Sequence, residues 1–162
     1  MQNYIALLRG INVGGKNKIA MSELKAAFEE NDYSNVSTYI NSGNIIFSSH
    51  SDNEAKIKKK CEHIIADKFK LNIPVAIISV QDLSDALKNA PAWWDADNQS
   101  KHNAIFVISP AAVEEVMEQV GVSKPEYEQV GHYGQVIFWS APLKTFSRTR
   151  WSKIVGTPHM AA

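Results

Sequence analysis

Val36-Ser37-Thr38-Tyr39-Ile40-Asn41-Ser42-Gly43-Asn44-Ile45-Ile46-Phe47-Ser48-Ser49 decides how the first half of the chain folds. Two β-prone runs, Val36–Ile40 and Asn44–Ser49, flank the turn Asn41-Ser42-Gly43-Asn44. Gly43 supplies a positive φ there, and asparagine tolerates one, so the two runs read as a hairpin. Upstream, Tyr4–Arg9 is a mostly apolar strand, and Ser22 caps a helix whose inner face is Leu24, Ala27 and Phe28. Downstream, Asp52 caps a longer helix with Ile57, Cys61, Ile64, Ile65 and Phe69 on one side, Pro74 breaks it, and Val75–Val80 is a fourth strand. The order βαββαβ over residues 1–80 fits a split βαβ sandwich of the ferredoxin-like kind, with two helices on one face of a four-stranded antiparallel sheet.

Residues 81–162 repeat the order without repeating the sequence. Asp82–Asn89 is a short amphipathic helix stopped by Pro91, and His102–Ile108 is a strand. Ser109-Pro110 opens a helix that buries Val113, Val116, Met117 and Val120 and ends at Gly121. Tyr127–Val130 and Gln135–Ser140 form a hairpin about Gly131-His132-Tyr133-Gly134. Phe146 to Val155 is a last helix. Gly156-Thr157-Pro158-His159-Met160-Ala161-Ala162 has no strand signal. The expectation is an α+β chain of two ferredoxin-like subdomains, 1–80 and 81–162, the second lacking its fourth strand and exposing a sheet edge that a second chain can pair with.

Composition excludes several classes. At 44% hydrophobic residues the chain has enough apolar side chains for a packed core and is not disordered. No run approaches the ~20 apolar residues of a membrane helix. Met1-Gln2-Asn3-Tyr4-Ile5 lacks the charged start of a signal peptide, and Cys61 is alone, so an intramolecular disulfide is impossible and a cytoplasmic location is expected. The zero net charge hides a segregation. Residues 1–22 hold Arg9, Lys16 and Lys18 and no acid; residues 129–162 hold Lys144, Arg148, Arg150 and Lys153 and no acid; residues 23–128 hold 10 basic and 17 acidic groups. Such asymmetry points to local positive surfaces.

Leu7-Leu8-Arg9-Gly10-Ile11-Asn12-Val13-Gly14-Gly15-Lys16-Asn17-Lys18 is the strongest functional clue. Gly10 to Lys16 nearly spells the phosphate loop Gly-x4-Gly-Lys-Ser/Thr, but Asn17 replaces the hydroxyl that holds Mg²⁺ and the helix does not follow at once. Hydrolysis of a nucleotide is therefore not the reading. Backbone N–H groups freed of Cβ atoms, with nearby cations, favour an anion. The expected ligand site is Arg9, Gly10, Asn12, Gly14, Gly15, Lys16 and Lys18, holding a phosphate- or carboxylate-bearing small molecule. In this reading the loop and the hairpin turn sit at opposite ends of the sheet, so Asn41, Ser42 and Asn44 belong to a turn, not to the site. The alternative is nucleic-acid binding through both basic ends, with Lys144, Arg148, Arg150 and Lys153 as a patch interleaved with Phe146 and Trp151. Tyr39 and Phe47 on the sheet either stack bases or pack, and packing is the expectation; the aromatic strand signature of an RNA-recognition motif is missing. Cys61 reads as a buried inert thiol, Asp95 and Asp97 beside Trp93-Trp94 as a packed loop, and His63 with Asp67 as a surface pair. No metal spacing joins the five histidines, no cofactor is implied, and no nucleophile or base presents itself, so whether the chain is an enzyme is left open, as is its oligomeric state.

Ala6-Leu7-Leu8-Arg9-Gly10-Ile11-Asn12-Val13-Gly14-Gly15-Lys16-Asn17-Lys18 and Thr38-Tyr39-Ile40-Asn41-Ser42-Gly43-Asn44-Ile45-Ile46-Phe47 resemble the signatures of the bacterial domain-of-unknown-function family 1697. Lys101-His102-Asn103-Ala104 and Lys144-Thr145-Phe146-Ser147-Arg148-Thr149 resemble it too. The resemblance spans residues 3–156 and implies tandem ferredoxin-like subdomains. It assigns no catalytic residue, because the family's biochemical role is not established. Family members continue past the position of Gly156 into a strand with a Thr-x-Arg-Asn motif; this chain has Thr157-Pro158-His159-Met160-Ala161-Ala162 there.

Overall fold

The computed structural model describes residues 1–156, 160 and 161. The chain divides into two compact units, Met1–Leu83 and Ser84–Ala162. The first holds β1 (Gln2–Leu8), α1 (Met21–Glu30), β2 (Ser34–Tyr39), β3 (Asn44–Ser49), α2 (Glu54–Phe69) and β4 (Val75–Ser79). Its sheet runs β2-β3-β1-β4, with every neighbouring pair antiparallel. This is the ferredoxin-like order read from the sequence.

Alternation along the strands sends Tyr4, Ala6, Leu8, Ile45, Phe47, Val75 and Ile77 toward the helices. There they meet Leu24, Ala27 and Phe28 of α1 and Ile57, Cys61, Ile64 and Ile65 of α2, all buried. Phe28, Tyr33 and Phe47 form an aromatic cluster, with Tyr33 and Phe47 ring centroids 4.5 Å apart and Phe28 and Phe47 5.6 Å apart edge to face. Such pairs add about 0.5–1.5 kcal/mol each beyond burial. Phe47 is thus core, as packing required, whereas Tyr39 is exposed. Both helix caps differ from expectation. Asn53, not Asp52, caps α2 by accepting the Lys56 N–H at 3.0 Å. Ser22 lies inside α1, whose cap position is Ala20 and carries no side-chain bond.

α3 (Val80–Lys88) crosses from the first unit into the second. Then come β5 (Ser100–Val107), α4 (Val113–Val120), β6 (Gln129–Tyr133), β7 (Val136–Pro142), two 3-10 stretches (Leu143–Arg148 and Trp151–Gly156) and β8 (Met160–Ala161). The order is β6-β7-β5-β8, the same as in the first sheet. The expected lack of a fourth strand is corrected: Met160 pairs with Val107 and Ala161 with Phe106, although the strand is only two residues long. Thr157, Pro158, His159 and Ala162 lie outside the described residues.

Two helices also differ. Ser109-Pro110 forms a turn closed by the Ala111 N–H on the Ile108 carbonyl at 3.2 Å, and α4 begins three residues beyond Pro110. The expected last helix is two 3-10 stretches. Thr149 between them is extended, with ψ 151°, and its hydroxyl bonds the Phe146 carbonyl at 2.8 Å, which competes with helix continuation. Trp151 and Ile154 still bury themselves with Val113, Val116, Val120, Ile137 and Trp139. Among the described residues no helix is long and apolar enough to cross a membrane.

Candidate functional site

The glycine stretch between β1 and α1 is a miniature hairpin. Gly14 (φ 58°) and Gly15 (φ 74°) are the two central residues of a turn closed by the Lys16 N–H on the Val13 carbonyl at 3.0 Å. Both central φ values are positive, which is the primed turn that suits a two-residue hairpin. The Asn12 N–H then reaches the Asn17 carbonyl at 3.1 Å. A Cβ at Gly14 or Gly15 meets nothing within 4 Å, so these glycines are required by backbone angle and not by space. Their own amides have no hydrogen-bond partner among the described residues.

Asn12 holds this hairpin to the rest of the unit. Its Oδ1 accepts the Ile19 N–H at 2.9 Å, and its Nδ2 donates to the Ile19 carbonyl at 3.0 Å and the Asn41 carbonyl at 2.8 Å. Asn17 Nδ2 donates to the Gly10 carbonyl at 2.9 Å. The Asn12–Asn41 contact corrects the expectation that loop and hairpin turn sit apart. β1 and β2 both run antiparallel to β3, hence in the same direction, so both of their C-terminal ends emerge at one end of the sheet. Gly43 seals the junction: a Cβ there would lie 2.6 Å from Ile11 Cδ1 and 3.0 Å from Leu8 Cβ, and its φ is 89°. Ile40 sits at φ 52°, which is uncommon and costly for a β-branched side chain. The turn also binds itself, through Asn44 Nδ2 to the Tyr39 carbonyl at 3.0 Å and to Ser42 Oγ at 3.2 Å.

Loop, turn and helix start enclose a recess of about 420 Å³ lined by Asn12, Gly15, Lys18, Ile19, Ala20 and Asn41. Of the expected site residues, Asn12, Gly15 and Lys18 line it. Arg9 is half-buried and its amide serves the Pro74 carbonyl at 3.0 Å; Gly10 accepts from Asn17; Gly14 is the turn tip; Lys16 is exposed on the hairpin. Ala20 is the helix cap position of α1, whose first turn has no side-chain acceptor, while Glu23 is an acid on that turn. The sequence reading assigns Asn41 to the turn and singles out neither Ile19 nor Ala20, yet all three line the recess. Asn41 lies 29 residues from Asn12, and its membership follows only from strand direction.

The other candidates resolve individually. Cys61 is buried; burial pushes its thiol up to about 12, partly offset by a bond from the Tyr33 hydroxyl, whose own ionisation burial also suppresses. The thiol is therefore inert. His63 and Asp67 form no ion pair; Lys58 and Glu62 do. Trp94 packs edge-on to Phe138 at 5.0 Å and donates Nε1–H to the Asn103 carbonyl at 2.9 Å. Asp95 and Asp97 lie on the exposed loop beside it. His102 Nδ1 accepts the Asp95 N–H at 3.1 Å and meets Ser140 Oγ at 2.6 Å, and Nε2 meets the Asp97 carbonyl at 2.7 Å. With the proton on Nε2 the ring donates to the Asp97 carbonyl, and the single Nδ1 lone pair is shared between the Asp95 N–H and the Ser140 hydroxyl. Among the described residues no three metal-type side chains converge.

The basic patch is less free than its sequence suggests. Lys144, Arg148 and Lys153 are exposed, but Arg150 is half-buried along Gly121, and Arg148 sits 5.9 Å over the Tyr127 ring. Glu128, 3% exposed, organises the segment: its carboxylate accepts the N–H of Arg150 at 2.6 Å, of Trp151 at 3.0 Å and of Lys124 at 3.1 Å. The sequence held one hint of it, since Glu128 is the last acid before the acid-free tail.

A family model described as protein of unknown function (DUF1697) matches residues 1–138. A solved structure of a conserved bacterial protein from Streptococcus pneumoniae is similar over 99% of this chain and 91% of that one, at 32% identity and a TM-score of 0.84. None of the curated proteins matches the chain.

Proposed function

The chain belongs to the DUF1697 family, and from that premise we propose that it is a cytoplasmic binding module for a small anionic ligand, held in the first unit. The observation that carries this reading is the recess of Asn12, Gly15, Lys18, Ile19, Ala20 and Asn41. A cation, the Asn41 side-chain amide and an uncapped first helical turn meet there, beside two loop amides with no internal partner, while Asn12 spends its own side-chain amide on holding the walls together. Each is a donor or a positive end, and phosphate or carboxylate oxygens satisfy several at once. Lys16 adds a second exposed cation to the same loop, and residues 1–22 hold no carboxylate. The lone Cys61 fits a reducing compartment.

A thermal-shift panel of inorganic phosphate, nucleoside monophosphates, sugar phosphates and dicarboxylates tests the proposal. A ligand at 100 times its Kd stabilises by about 2.7 kcal/mol, a shift of several degrees. Lys18→Ala is expected to remove the shift, and Asn41→Asp, which places a negative charge on the lining, to do so more completely. A panel in which no member shifts the melt overturns it. Steeply salt-dependent binding of single-stranded RNA that survives Lys18→Ala replaces it with the nucleic-acid reading, carried by Lys144, Arg148 and Lys153.

A further inference from the structure

The first unit has a second recess at the other end of its sheet, where Ser49 pairs with Gln2 and the loop between α1 and β2 returns. It measures about 300 Å³, and Tyr33 and Ile57 form its apolar floor. We infer that this recess is a separate site for a small phosphate-class anion, either the free ion or the head of a small phosphomonoester.

The argument is one of unspent donors. The Ser51 N–H donates to Ser49 Oγ at 3.2 Å, the Asn53 N–H to Ser51 Oγ at 3.2 Å, and the Lys56 N–H to Asn53 Oδ1 at 3.0 Å. This ladder uses the side-chain oxygens as acceptors. The hydroxyl hydrogens of Ser49 and Ser51 then have no acceptor among the described residues, and Ser49 is only 5% exposed. The cap of α2 is already filled by Asn53, so the helix end is not what recruits the ligand.

Two exposed lysines line the same recess as these hydroxyls. Lys56 and Lys60 lie one helical turn apart, both line the recess, and neither has an ion pair among the described residues. Like charges at this spacing oppose each other unless an anion lies between them. Lys60 is pinned, with Nζ 4.6 Å above the Tyr33 ring. Tyr33 itself packs against Phe28 and Phe47, so the ring that the ammonium faces is part of the core. His50 adds a third nitrogen on the lining, and Asp32 is its one carboxylate. A tetrahedral anion presents enough oxygens for two ammoniums and two hydroxyls together, while a planar carboxylate presents two. The small volume excludes a whole dinucleotide. Asp32 can accept a hydroxyl of the ligand, which favours a hydroxylated phosphomonoester over an apolar one.

Amide-resolved NMR titration of the full chain separates this site from the one proposed above. Inorganic phosphate, glycerol phosphate and acetate are added in turn at constant pH and ionic strength. The expected result is saturable shifts of the Ser49, Ser51 and Lys56 amides with both phosphates, and at least tenfold weaker response to acetate. Lys56→Gln/Lys60→Gln is expected to weaken phosphate at least tenfold with the rest of the spectrum unchanged; Lys18→Ala is expected to leave these shifts intact. If free phosphate binds as tightly as glycerol phosphate, the occupant is the ion itself. The inference is overturned if these amides do not saturate, if acetate matches phosphate, or if the double variant binds as the wild type does. Shifts here that vanish only with Lys18→Ala assign the binding to the glycine-loop recess instead.

Discussion

The two units share one strand order and cover their sheets by different means. In the first, two regular helices of 10 and 16 residues lay Leu24, Ala27 and Phe28, then Ile57, Cys61, Ile64 and Ile65, across the strands. In the second, α4 is eight residues long, and the place of the other helix is taken by 3-10 stretches carrying Phe146, Trp151 and Ile154. Every helix leaves its first amides without an internal partner, and where the second 3-10 stretch begins the buried Glu128 carboxylate takes up those of Arg150 and Trp151. The same topology is thus secured once by apolar periodicity and once by a single charged side chain. The edge strands differ likewise: β4 has five residues and β8 two. The first unit carries both recesses argued above on this more regular frame, where turn residues are free to serve the loop.

The largest expected effect breaks the second unit alone. Glu128→Ala strands three amides that bond a charged acceptor, and is expected to cost about 3 kcal/mol or more, since charge-assisted bonds contribute about 1.5–3 kcal/mol each. All four tryptophans, 93, 94, 139 and 151, lie in the second unit, so a urea melt read by tryptophan fluorescence reports that unit. The midpoint falls in Glu128→Ala and falls less in Glu128→Gln, which keeps one acceptor. An unchanged midpoint removes the carboxylate from its organising role.

Gly43→Ala is the counterpart in the first unit. The added methyl meets Ile11 Cδ1 at 2.6 Å at a φ of 89°, for an expected loss of about 2 kcal/mol. Native-state hydrogen exchange of β1 and β3 amides measures it, and the tryptophan melt stays where it was. Gly14→Ala sharpens the contrast. Its φ of 58° is unfavourable but its surroundings are open, so about 1 kcal/mol is expected. Equal losses at the two positions contradict the distinction between crowding and backbone angle.

The smallest effect is on acid stability. Burial pushes the Asp97 carboxyl up, but hydrogen bonds from the Gln99 amide and from Ser100, with the nearby His102, outweigh it and hold the group below its ordinary value. A depressed folded value means stability that is present above the usual aspartate range, near 3.9, and lost as pH falls through the lower folded value. Asp97→Asn is expected to flatten the acid limb of the second unit's melt below about pH 4. An unaltered limb contradicts the assignment.

Strand content was legible because alternation is a local signal, and the hairpin because Gly43 must lie at positive φ. The bounds β3 (Asn44–Ser49) and the inner faces of α1 and α2 came directly from spacing. What was not legible depends on distance or on competition between near-equal partners. Asp52 and Asn53 are both good caps, and only the loop geometry selects Asn53. Phe146 to Val155 carries helical spacing, and the Thr149 hydroxyl overrides it. Asn12, Gly15 and Lys18 are legible in the glycine- and cation-rich loop itself, whereas Asn41 joins them only through the direction of β2. Glu128 gave no periodic signal, since two of its three partners lie 22 and 23 residues away.

The central claim is that the first turn of the chain, clasped by Asn12 to Asn41, presents its amides to negative charge. Titrating the full chain with pyrophosphate while following the Gly14, Gly15, Ala20 and Met21 amides by NMR tests it most directly. The account predicts saturable shifts at all four that Lys18→Ala weakens at least tenfold. Amides that stay still while pyrophosphate reaches saturation elsewhere on the chain would contradict it.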